Sequence, residues 1–120
     1  MNKVERIKLT KKEFINNSQT LISISDENRQ RILLVLMDYC DKGGIRVEDI
    51  AKKINLSRPA VSHHLKILKD EEIISIRKDG AKNYYYISGC TKILKIKNLL
   101  DNIELLVNEN KERTESKNIL

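Results

Sequence analysis

The chain has 120 residues, a net charge of +6, 33% charged side chains and only 4% aromatic ones, which suits a small, mostly helical domain with an aliphatic core. That length is too short to house a large enzyme cleft beside a full core. No apolar run approaches a membrane span, and the opening "MNKVERIKLTKKEF" lacks the apolar stretch of a signal peptide, so a cytoplasmic protein is expected.

Residues 1–12 carry five basic side chains against Glu5. In this basic arm Lys3, Arg6 and Lys8 are equally suited to touch a polyanion and to stay loose. Thr10 to Glu13 reads T-K-K-E, a capping-box spacing in which the hydroxyl accepts an N–H and the carboxylate reaches back. A helix is expected to start there and to carry Phe14, Leu21 and Ile22. Ser25 then precedes "DENRQRILLVLMDYC". Asp26 and Glu27 favour the positive end of a second helix. Ile32, Val35, Leu36 and Tyr39 recur at helical spacing, with Leu33, Leu34 and Met37 widening the stripe. A helix apolar nearly all round is a central, buried one. "DKGG" ends it.

The next helix is short, with Val47, Ile50, Ala51 and Ile54 on one face. Asn55 after it tolerates the left-handed backbone that a helix end often needs. Ser57 can cap the following helix, and Pro59 sits in its first turn, where a missing N–H costs little. Ile50, Ala51, Ile54, Leu56 and Val61 give the packing register of a helix-turn-helix.

From Ile73 the period changes. "IISIRKDGAKNYYYI" is rich in β-formers and is divided by Asp79-Gly80, a strong hairpin signal. Arg77, Lys78 and Lys82 cluster near its tip. Alternation puts Tyr84 and Tyr86 on one face, Tyr85 and Ile87 on the other. A hairpin directly after a helix-turn-helix makes a winged helix. In the last helix Ile93, Ile96, Leu100, Ile103 and Val107 form a heptad seam flanked by Leu99 and Leu106. Such a seam fits a second copy of the chain better than its own core. Residues 1–110 are read as one domain and the polar 111–120 as a frayed tail.

Both histidines fall in "NLSRPAVSHHLKIL". At about 100° per residue, Val61, Leu65 and Leu68 face the core, whereas Pro59, Ser62, His63 and Lys66 face outward. His64 lies at the margin. Adjacent histidines point about a quarter-turn apart and do not share a metal as i, i+4 residues do. Nor is there a carboxylate at a spacing suited to catalysis. The strip of Ser57, Arg58, Ser62, His63 and Lys66 instead suits base edges and phosphates in a major groove. His64 is expected to bond the backbone or to pack on the preceding helix.

"RQRILLVL", "VEDIAKKINLSRPAVSHHLKILKDEEII" and "IRKDGAKNYYYI" resemble the ArsR-type winged helix-turn-helix transcriptional regulators over about Glu27 to Ile87. The resemblance implies a mainly helical fold with a small β-hairpin and no enzymatic activity. It implies a homodimer through the first and last helices, to which Phe14 and Leu21 would add to the seam. It implies a recognition helix at 57–69 and a wing at 75–87, acting as a repressor on an inverted-repeat operator. Both metal sites familiar in the family are absent: "RVEDIAKKI" has no thiol, and "TKILKIKNLLDNIELLVNENKE" has no histidine. No cofactor is expected. Cys40 and Cys90 match no disulfide or zinc spacing. They fit only loosely the thiol-switched members, and two buried, inert cysteines are the plainer reading.

Arg58 is the candidate guanine reader, Ser62 and His63 candidates for shorter contacts, Lys66, Lys78 and Lys82 candidates for phosphate, and Arg77 a further DNA-binding candidate in the wing. A winged-helix module that binds proteins rather than DNA is the alternative the residues leave open.

Overall fold

The computed structural model describes the backbone of residues 1–119 and the side chains of residues 1–111. In chain order the elements are α1 (Lys3–Asn16), α2 (Ser18–Ser25), α3 (Glu27–Asp38), α4 (Val47–Ile54), α5 (Arg58–Asp70), β1 (Ile74–Asp79), β2 (Lys82–Ile87) and α6 (Cys90–Ile119). The chain falls into two compact units: Met1–Ser18 with the chain from Ile93 onward, and Gln19–Lys92.

In the first unit, α1 begins seven residues or so before the expected Thr10. Asn2 is the cap: its side chain accepts the Glu5 N–H at 2.8 Å, and Glu5 reaches back to the Asn2 N–H at 3.4 Å. The capping-box spacing recurs at Asn2 and Glu5, and the earlier pair starts the helix. Thr10 is interior, its hydroxyl donating to the Arg6 carbonyl at 2.7 Å. The helix also ends sooner than expected. At Asn17 the backbone leaves the helical region, and the side-chain amide donates to the Glu13 carbonyl at 2.7 Å. Phe14 and Leu21 therefore lie on separate helices.

Polar groups join α1 to α6. The Asn102 amide lies 3.0 and 2.9 Å from the two Glu13 carboxylate oxygens, and Arg6 pairs with Glu109. The heptad seam is divided in the protomer. Leu99, expected on the flank, is the buried leucine of α6, whereas Ile93, Leu100 and Val107 are more than half exposed. Ile96 and Ile103 are half-buried. The tail expected at 111–120 lies, past Lys111, outside the described side chains.

The second unit holds the aliphatic core of Ile32, Leu36, Ile45, Ile50, Ile54, Val61, Leu65, Leu68, Ile73 and Ile74. The cap of α3 is Asp26, which accepts the Arg29 N–H at 3.0 Å. Contrary to expectation, α3 is not buried all round: Ile32 and Leu36 are enclosed, while Leu34 and Met37 are 61% and 54% exposed. A stripe wide enough to surround a helix does not by itself bring neighbours to every side. The Arg31 guanidinium ties α3 to the end of α4 by bonding the Ile54 carbonyl.

The α3–α4 turn uses Gly43 and Gly44 at positive φ. A Cβ on Gly44 would stand 2.6 Å from the Tyr85 carbonyl oxygen. That close approach lets Ile45 exchange two backbone hydrogen bonds with Tyr85, at 3.0 and 2.9 Å. β1 and β2 form an antiparallel hairpin in register from Ile74↔Ile87 to Asp79↔Lys82. Its two loop residues are Gly80 and Ala81, one residue later than the Asp79-Gly80 signal. Gly80 takes a left-handed φ of 60°, as the first loop position of a type II′ turn requires.

Candidate nucleic-acid interface

The interface is built on the α4–α5 corner. α4 buries Ile50, Ala51 and Ile54 and ends at Asn55, which is left-handed with φ 55° and ψ 49°. Asparagine takes this conformation at lower cost than most residues, and the chain reverses within three residues. Ser57 then starts α5, its hydroxyl accepting the Ala60 N–H at 3.2 Å, with Pro59 in the first turn. Val61, Leu65 and Leu68 are buried. Their burial, worth about 1.5–3 kcal/mol per side chain, fixes the rotation of the helix.

That rotation turns Ser57, Arg58, Pro59, Ser62, His63 and Lys66 outward, all exposed. Arg58 makes no ion pair among the described residues. It lends positive field to Glu48, whose carboxyl is held below its usual range first by its own backbone N–H and then by Arg46, Arg58 and Lys52. Lys66 contacts Asp70 at 3.0 Å, with both side chains well exposed. Such a pair is weakly held and yields readily to a phosphate.

The two histidines differ. His63 faces solvent. The His64 side chain is only 15% exposed, and its Nδ1 lies 3.2 Å from Arg29 Nη1 and 4.0 Å from Asp26 Oδ1. It rests on the start of α3, so it meets a side chain of an earlier helix rather than a backbone group. Burial pushes its pKa below 6.5, with Arg29 and His63 adding to the effect and Asp26 opposing it. The two rings are tilted, with centroids 5.7 Å apart. Among the described residues no three His, Cys, Asp or Glu side chains come together as a metal site.

In the wing, Tyr85 and Ile87, which alternation puts on one face, pack on the core. The Arg77 guanidinium lies over the Tyr84 ring, 4.4 Å from its centroid, and its Nε donates to the Gly43 carbonyl at 3.1 Å. The wing is thereby braced to the α3–α4 turn, and by the register Arg77 shares a face with Lys82. By the register Lys78 and Lys82 lie on opposite faces near the tip, both exposed. Between α5 and the wing runs a groove of about 300 Å³ lined by Ser62, Lys66, Lys69, Ile76 and Tyr85. Lys69 joins the strip as a groove residue beyond those expected from the sequence. Its spacing from Ser62 and Lys66 was the available signal. Cys40 and Cys90 are both free and exposed, contrary to the expectation of buried thiols.

An outward polar face on the second helix of a tight helical pair, with a basic hairpin beside it, defines a winged helix-turn-helix DNA-binding domain. Residues 26–75 match the family model described as bacterial regulatory protein, arsR family. The chain is 41% identical over 66 residues to the transcriptional repressor SdpR of Bacillus subtilis, covering 55% of this chain and 69% of SdpR. It is 29% identical over 102 residues to an arsenical resistance operon repressor of Staphylococcus aureus, covering 85% and 89%. Among solved structures it resembles NolR of Sinorhizobium fredii at 30% identity, with a TM-score of 0.57 over 78% of this chain and 89% of NolR. The chain belongs to the ArsR family and is a DNA-binding transcriptional regulator. No described helix is long and apolar enough to cross a membrane.

Proposed function

We propose that this protein is a cytoplasmic homodimeric repressor that reads an inverted-repeat operator with α5 and holds it with the wing. The observation that carries the reading is the exposed row Ser57, Arg58, Ser62, His63 and Lys66, set on a helix whose opposite face is locked into the core. Arg58 at the start of α5 donates to a guanine edge, and Ser62 and His63 make shorter base or phosphate contacts. Lys66, Lys78 and Lys82 neutralise phosphates, with Arg77 bracing the hairpin that presents them. The names of SdpR and of the Staphylococcus aureus relative, both repressors, favour repression over activation.

Dimerisation rests on the exposed apolar set of Phe14, Ile93, Leu100 and Val107 on α1 and α6, with half-buried Ile96 and Ile103 on α6; Leu21 on α2 is half-buried as well. A second copy would enclose this surface and set two α5 helices about one turn of duplex apart. The test is binding of the full chain to selected and random duplexes across a salt series. Selected sites should bind at least about a thousandfold tighter, and both affinities should fall steeply with salt. Equal, salt-insensitive binding would overturn the proposal in favour of a protein-binding module.

The exposure of Cys40 and Cys90 supports a second reading in which thiol oxidation weakens operator binding. An oxidant should then lower affinity in the natural chain and not in Cys40→Ser. Unchanged binding in oxidant ends that reading.

A further inference from the structure

The wing has one unpaired side. Tyr85 directs both its N–H and its C=O to Ile45, so neither group is available to β1. Tyr85 faces Ile76 in the hairpin register. In an antiparallel ladder such a pair turns its backbone groups outward, and the pattern repeats every second residue. The backbone groups of Ile74, Ile76 and Lys78 therefore point away from β2, while those of Ser75, Arg77 and Asp79 face it. The sheet ends at β1, and no described backbone group bonds to this edge.

A cleft of about 590 Å³ borders the same edge. Ile74, Ile76 and Lys78 line it, with Lys69 from the end of α5 and Lys92 from the start of α6. Glu72 is the one carboxylate in the lining, and none of the three lysines is ion-paired among the described residues. A lysine on a strand edge often serves only to discourage edge-to-edge aggregation. Lys78 alone would do that. Lys69 and Lys92 belong to helices with no edge to protect, yet both border the cleft.

We propose that the free edge of β1 is a strand-addition site for an extended acidic segment of a partner protein. Backbone bonds to Ile76 and Lys78, the accessible outward-pointing residues of this edge, would supply the pairing, as in other strand-addition complexes. Half-buried Ile76 offers apolar contact beside it. Three lysines against one glutamate select for aspartate and glutamate in the partner and reject a basic segment. The site stands on the strand register and the cleft, and does not require Lys78 to touch DNA.

The test is a titration of the isotope-labelled full chain, followed by amide resonances, with four probes. These are a short peptide alternating glutamate and valine, its lysine–valine counterpart, the glutamate peptide with every backbone nitrogen methylated, and a random duplex. The glutamate peptide should move the Ile76 and Lys78 amides most and slow their hydrogen exchange about tenfold. The lysine peptide should bind at least about tenfold more weakly. The methylated peptide keeps every charge but cannot donate, and should lose the effect. The proposal is overturned if these amides do not respond to millimolar glutamate peptide, or respond equally to the lysine or methylated peptide. It is also overturned if only the duplex moves them, because the cleft then belongs to the DNA path.

Discussion

Arg29 donates a guanidinium N–H to Nδ1 of His64 across 3.2 Å, joining the start of α3 to the middle of α5. A guanidinium has no acceptor, so Nδ1 accepts and the neutral ring carries its proton on Nε2. Arg29 is itself fixed, with Nε on the Ser23 carbonyl at 2.6 Å and its backbone N–H on Asp26 at 3.0 Å. Protonating His64 would remove the acceptor and set two cations face to face.

This relationship fixes the sign of a pH effect. The folded pKa of His64 is held below 6.5, chiefly by burial. The unfolded chain therefore takes up a proton first as the pH falls. The contribution to stability is complete above 6.5, declines as the pH drops below that value, and levels off below the folded pKa. Asp26, with a pKa lowered from 3.8 by the Arg29 N–H, titrates well below this window. Thermal melts between about pH 7.5 and 5.5 should show Tm falling as the pH drops. The same melts on His64→Asn, which cannot titrate, should be flatter. Parallel falls in both proteins would detach the effect from His64.

Arg58 and Lys82 should fail in different ways. Arg58→Ala is expected to lose about 1–3 kcal/mol on a selected site and little on random duplex, flattening the preference at one base pair. Lys82→Ala should weaken all duplexes alike and reduce the salt slope by about one. Binding isotherms at several salt concentrations separate the two patterns. Identical losses on specific and random DNA for both variants would contradict the roles given to them.

Gly44→Ala should loosen the wing. The added Cβ would meet the Tyr85 carbonyl oxygen at 2.6 Å, at a φ of +99° that alanine resists. Destabilisation of more than about 1 kcal/mol is expected, with loss of exchange protection at Ile45 and Tyr85. Ser57→Ala, which removes the cap of α5, should cost about 1 kcal/mol without that local signature. Denaturant melts and amide exchange distinguish them.

Leu100→Lys combined with Val107→Glu places charges on exposed apolar positions of α6. If α6 seats a second copy, sedimentation should show the pair of substitutions converting dimer to protomer. Affinity for a two-half-site operator should drop at least about a hundredfold, because each half-site would then bind alone. A wild-type chain that already sediments as a protomer would remove the dimer from the account.

The α4–α5 corner was the most legible part of the sequence. Asn55, Ser57 and Pro59 each have a local physical role, and the buried trio Val61, Leu65 and Leu68 sets the outward face by simple helical periodicity. The hairpin was legible for the same reason, since Gly80 marks the turn and alternation puts Tyr85 and Ile87 on one face, though it does not tell which face is inward. The first helix was misplaced because Thr10–Glu13 and Asn2–Glu5 carry the same capping pattern, and local spacing does not rank them. His64 was placed correctly at the margin, but its partner Arg29 is 35 positions away in sequence. The bracing of Arg77 by Gly43 and Tyr84 was hidden likewise, because it depends on which loop passes over the wing. The heptad in α6 named the apolar residues without telling which of them the protomer encloses, and Leu99 took the place assigned to the seam.

The most direct test of the account is selection of duplexes from a random pool by the full-length chain, repeated with Arg58→Ala. The expected result is an imperfect inverted repeat with half-sites about one helical turn apart, and loss of one base preference in each half with the variant. A pool that stays random, or a site unchanged by Arg58→Ala, would contradict the assignment of the exposed face of α5 to DNA.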